Sequence, residues 1–110
     1  MSISYKTPFK LQSLVAGNNL AYTVPEFVVA QVRACTIHNP TATQKAIEVY
    51  ILPENALDPA PAYRIIKGTL FENGSYLCPE LANHCLQKGD KVVFVGEGLN
   101  AILSVLEQSQ

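Results

Sequence analysis

The sequence predicts an all-β protein, a single small β-sandwich of jelly-roll or immunoglobulin-like type with about seven or eight strands. Three observations carry this. Short runs rich in Val, Ile, Thr and Tyr recur along the chain with Gly, Pro, Asn or Asp groups between them. Helical periodicity is nowhere convincing. At 110 residues the chain is long enough for one hydrophobic core and too short for two.

Residues 1–10 read as an extended N-terminal arm, because Tyr5, Lys6, Phe9 and Lys10 follow no regular pattern, and residues 11–110 as the sandwich domain. The first strand run, residues 11–15, stops at Ala16-Gly17-Asn18-Asn19, a group that tolerates the positive φ of a tight turn. A second run, residues 20–24, stops at Pro25. The longest, residues 27–39, breaks strict alternation: Val28, Ala30, Val32 and Ala34 share one parity, while Cys35 and Ile37 take the other. One extra residue switches which parity faces the core, so a β-bulge is expected near residues 33–35. Pro40 then removes a ladder donor and ends the run.

Residues 43–52 alternate most cleanly, which places Ile47, Val49 and Ile51 in the core. Pro53, Pro59 and Pro61 stiffen the loop over residues 54–62, an expected place for partner contact. A strand follows over 63–70, then Asn73-Gly74 as a hairpin turn and a short strand over 75–78. Pro79 and Glu80 suit the first turn of a single helical turn within 79–87. Lys88-Gly89-Asp90 leads into residues 92–95, apolar enough for the middle of a sheet. Gly96-Glu97-Gly98 then turns the chain into a last strand over 101–107.

The composition argues for burial against neighbours. Apolar residues make up 48% of the chain and charged ones 15%, against about 25% in ordinary soluble domains. That balance suits a face held in an oligomer or a larger assembly. A net charge of -1 without any cluster of Lys and Arg predicts neither a nucleic-acid nor a membrane partner. The opening MSISYKTPFK has no apolar run after its charges, so the expectation is a protein made in a cytoplasm without a signal peptide.

Signatures of chemistry are sparse. No G-x-S-x-G and no phosphate-binding glycine motif occurs. Cys35 and His38 lie three residues apart on an extended run, which puts them on opposite faces. Cys78, His84 and Cys85, with Cys35 or His38, supply zinc-ligand types at spacing that fits no usual site. The three cysteines form no CxxC pair and read as free, mostly buried thiols. Asp58, Asp90, Glu97 and Glu107 read as solvated charges at turns or ends. The expectation is therefore no catalytic residue, no metal and no cofactor. Tyr5, Tyr22, Tyr50, Tyr63 and Tyr76 are core-edge residues when covered, or interface and sugar-stacking residues when exposed.

Three segments together resemble a family of small bacteriophage virion proteins with a β-sandwich fold. Tyr22-Thr23-Val24-Pro25, then Ala30, Val32 and the strand end Ile37-His38-Asn39, resemble its opening YTVP and the long strand that follows. Residues 46–53, Ala-Ile-Glu-Val-Tyr-Ile-Leu-Pro, are similar to its central strand and proline-bearing loop. Leu86, Gly89 and Asp90, with Val92, Phe94 and residues 100–107, are similar to its L-x-x-GD turn and terminal hairpin. The family's Gly- and Ser-rich loop is proline-rich here, and Leu103, Val105 and Leu106 are bulkier than its pattern.

The resemblance implies a non-enzymatic structural component: a head-decoration or cementing protein, or a tail-associated adaptor or fibre part. Its expected partners are itself, as a dimer or trimer, and the major capsid or tail proteins of a particle. The expected contacts are Tyr5, Phe9, Glu54, Asn55, Leu57, Asp58, Tyr63 and Tyr76. A carbohydrate-binding module built on a platform of tyrosines is the competing expectation.

Overall fold

The computed structural model describes residues 2–109, so the outermost residue of the expected arm and of the expected domain lie outside the described residues. Nine strands form two antiparallel sheets: β1 (Ile3–Ser13), β2 (Asn19–Thr23), β3 (Val28–His38), β4 (Lys45–Leu52), β5 (Arg64–Leu70), β6 (Ser75–Tyr76), β7 (Cys85–Leu86), β8 (Lys91–Val95) and β9 (Asn100–Ser109). Sheet A has the order β1-β9-β3-β6, with β7 also on β3, and sheet B the order β2-β8-β4-β5. The protein is an all-β sandwich, as the spacing of strand runs and turns predicts.

The pairing is nested. β1 pairs with β9, β2 with β8, β3 with β6 and β7, and β4 with β5. The chain is thus one long hairpin whose two arms pair along their length. Rolling it up brings β9 against β3 and β8 against β4. This is the jelly-roll order, and it decides between the two strand orders that the sequence leaves open.

The inner faces carry the core. Ala30, Val32, Cys35 and Ile37 of β3 face Ala101, Leu103 and Val105 of β9, and Ile47, Val49, Val92 and Phe94 close the core from sheet B. Ile51 packs against this core from a partly buried position. The register of β3 against β9 shifts between Val32 and Ala34, which makes Arg33 the extra residue of the bulge that the parity change predicts.

Asn39, which ends β3, is fully buried. Its amide donates to the Thr43 carbonyl at 2.8 Å and the Leu70 carbonyl at 3.0 Å, and its side-chain oxygen accepts from the Thr41 N–H at 2.9 Å. One side chain therefore satisfies the turn and ties it to β5. The expected Asn73 turn is present, with Asn73 at φ 56°. The expected single helical turn is present as one i to i+4 turn, the Ala82 N–H reaching the Cys78 carbonyl at 3.0 Å before β7 begins.

The boundary expected at residue 10 falls inside a strand. Residues 3–13 form β1, ordered by β9 of the same chain, and not a free arm. Two register shifts, one between Lys6 and Phe9 and one between Phe9 and Gln12, scramble its alternation, so the segment carries no period-two signal. Phe9, expected as a partner contact, is instead a core residue, edge-on to Phe94 with ring centroids 5.5 Å apart.

Candidate interaction surfaces

The outer face of sheet A follows from the ladder. Along β9 the odd positions 101–107 are buried and the even ones half-buried, so Ile102, Ser104, Leu106 and Gln108 point outward. Their cross-strand partners share that face: Ile3 and Tyr5 from β1, and Val29, Gln31, Ala34 and Thr36 from β3. The bulges add Lys10 and Leu11 opposite Ile102, and Arg33 beside Ala34. Among the described residues no Asp or Glu lies on this face, and no described segment covers it. Tyr5, one of the expected contacts, is 76% exposed there. A depression of about 180 Å³ sits between β3, β7 and β9, lined by Val29, Ala30, Gln31, Cys85, Leu106 and Gln108.

Sheet B presents the opposite case, because the chain covers part of its outer face. Tyr50, Leu52 and Val93 point outward and are buried under residues 53–63, packing with Ala56, Tyr63 and Val95. Lys91 fastens this loop, donating from Nζ to the carbonyls of Glu54 and Ala56 at 3.2 Å each. Gly89 lies against it with φ +83°, and a Cβ there would come within 2.6 Å of Glu54 Cβ, so only glycine fits. Glu54, Asn55, Leu57 and Asp58 remain exposed, Leu57 at 90%, while Tyr63 is half-buried on its own chain. Glu54 meets Lys88 at 3.6 Å.

The expected contacts other than Phe9, which is in the core, thus fall on two opposite outer surfaces, with Tyr76 apart from both. Tyr76 lines a cleft of about 180 Å³ between the edges of β5 and β6, together with Ile47, Ile66, Lys67, Gly68, Thr69, Leu70 and Glu80. Its hydroxyl hydrogen-bonds Glu80, which pushes the phenol up to about 12. The five tyrosines form no common platform: Tyr22 is buried between the sheets, Tyr5 is on sheet A, Tyr76 lines the cleft, and Tyr50 and Tyr63 share the small cluster where the loop meets sheet B.

Inside the sandwich, Glu107 is a buried charge in a strand and not the solvated end charge that its place in the sequence suggests. It accepts from Lys6 Nζ at 2.9 Å and from the Tyr22 hydroxyl, joining β1 and β9 to β2 of the other sheet. Burial alone would raise the Glu107 carboxyl; the hydrogen bonds from Lys6 and Tyr22 outweigh it and hold the group below its ordinary value. Burial and the same carboxylate raise Tyr22.

Cys35 and Cys78 are buried and Cys85 is exposed. Hydrogen bonding to the Cys78 thiol, then burial, raises Cys35. Among the described residues no three His, Cys, Asp or Glu side chains converge as metal ligands. No helix among them is long and apolar enough to cross a membrane. No protein-family model, curated protein or solved structure matches this chain.

Proposed function

We propose that this chain is a non-enzymatic structural protein of a bacteriophage virion, a head-decoration or cementing protein that holds its place by protein-protein contact. The observation that carries the reading is the outer face of sheet A, an acid-free and largely apolar surface on a rigid jelly roll, which water alone would not favour. The three segments that resemble the virion family add to it. They fall on β2 to β4 and on β7 to β9, the strands that make most of both sheets. A tail-associated adaptor position uses the same surface and differs only in the lattice that receives it.

Copy number on particles tests the reading. Virions assembled in cells that express the chain, banded by density and washed at high salt, are expected to carry it at a fixed ratio to the major capsid protein. A fixed ratio to a tail protein, with none on isolated heads, moves the assignment to the tail. Absence of the chain from banded particles overturns the virion role.

A further inference from the structure

We infer that copies of this chain associate head to tail, the exposed tip of the loop over residues 53–63 on one copy seating on the outer face of sheet A of the next. Charge chooses this occupant. Among the described residues the sheet A face carries Lys10 and Arg33 and no acidic side chain, so a second sheet A face laid against it would meet like charges. The loop carries Glu54 and Asp58 and no Lys or Arg. Asp58 forms no salt bridge among the described residues, and neither do Lys10 and Arg33.

Shape agrees. Leu57 is the most exposed large apolar side chain described, at 90%, and it stands on a loop fixed by Lys91 and by prolines. The depression on the receiving face, about 180 Å³ and walled partly by Val29 and Leu106, has room for a leucyl side chain. Three strands about 4.8 Å apart and about ten residues long give on the order of 500 Å² of flat face, before side-chain relief and the short β6 and β7 at its edge are added. A stable interface uses about 800 Å² per partner.

The two surfaces lie on opposite sides of the sandwich, so the contact is heterologous: it leaves one knob and one face free at every step. Such a contact closes into a ring when its rotation permits, and otherwise extends as a filament. The inference deepens the assembly reading without requiring a phage. A chain found on particles that never self-associates would sink the head-to-tail contact alone, and a self-associating chain absent from particles would sink the virion role alone.

Two substitutions at exposed positions test it, Leu57→Asp on the knob and Arg33→Glu on the face. Wild-type protein is expected to sediment above monomer mass with rising concentration, and each variant alone to stay monomeric. Mixed in equal amounts, the variants are expected to form a one-to-one dimer and nothing larger, because together they retain one intact knob and one intact face. Cys85, the exposed thiol among the three and part of the depression, gives a second readout. Its alkylation is expected to slow at least about tenfold in assembled wild-type protein and to stay fast in Leu57→Asp. Monomeric wild type at every concentration overturns the inference. So does a mixture that forms no dimer, or an Arg33→Glu variant that still associates as wild type does.

Discussion

Glu107 is the side chain whose chemistry most constrains the fold. A carboxylate inside a sandwich stands only with charged or donating partners, and here Lys6 and Tyr22 supply them. Glu107→Ala strands the buried Tyr22 hydroxyl and frees Lys6, and is expected to cost about 2–3 kcal/mol, below the usual cost of breaking a buried pair because Lys6 is about half exposed. Glu107→Gln keeps an acceptor for Tyr22 and is expected to cost about 1 kcal/mol; urea denaturation of both variants checks the order. The pH dependence follows from the shift directions. The folded Glu107 lies below its unfolded value of about 4.3, so its stabilisation is present above that pH and is lost as pH falls through the folded value. The folded Tyr22 lies above its unfolded value of about 10, so its contribution is complete below that pH and is lost as pH rises through the folded value. The urea midpoint is therefore expected to be flat between those limits and to fall on both sides. Tyr22→Phe is expected to remove the alkaline fall and to leave an acid one; an alkaline fall unchanged by Tyr22→Phe would mean that another group causes it.

At the scale of the element, the β3 bulge makes a prediction that ordinary intuition about deletions would reverse. Arg33 is the extra residue between inward-facing Val32 and Cys35, so deleting it leaves Val32, Ala34 and Cys35 in regular alternation. Deleting Thr36 turns Ile37 out of the core. The Arg33 deletion is expected to fold with a modestly lowered Tm, and the Thr36 deletion to lose cooperative unfolding, as read by calorimetry. Gly89→Ala acts on another element: its Cβ would collide with Glu54, so the loop lifts, Leu52 and Val93 gain solvent, and about 1–3 kcal/mol is expected to be lost.

The same elements explain what the sequence makes legible. β4 could be read because its alternation and its turn residues agree, β8 because a continuous apolar run stands between two turn groups, and the β3 bulge because Ala34 and Cys35 show the parity change. β1 could not be read, because two bulges erase the pattern and its one buried side chain, Phe9, stands alone among exposed neighbours. The tie of Glu107 to Lys6 escaped for a related reason: it joins the two ends of the chain, and no local spacing records such a pair. Of the surfaces, the loop at 53–63 was visible through its prolines. The acid-free face of sheet A was not, since it is assembled from strands far apart in sequence and exists only once their register is known.

For the whole molecule, the nested pairing sets what must form together. Its innermost turn of the roll, β4 with β5, is the most local of the sheet pairs, and the outermost, β1 with β9, joins Ile3 to Gln108. Closing pairs so distant in sequence makes folding slow for the chain's size, with refolding expected in the range of about milliseconds to seconds. The outermost pair is also the one that shields the rest. β9 carries half-buried Ile102 and Leu106 on its outer face and Glu107 within, and β1 covers its free edge with Lys6 and Phe9 beneath. β1 guards the resulting edge of sheet A itself, through Pro8, Lys10 and its two bulges. Removing residues 1–10 strips that guard, opens the long edge of β9 and leaves Glu107 without its cation. The truncated chain is expected to melt at lower temperature and to aggregate through the β9 edge, seen as a rise in light scattering that begins at or below the unfolding transition. Were the truncated chain to stay soluble with an unchanged Tm, β1 would be an appendage to the domain and not the strand that closes it.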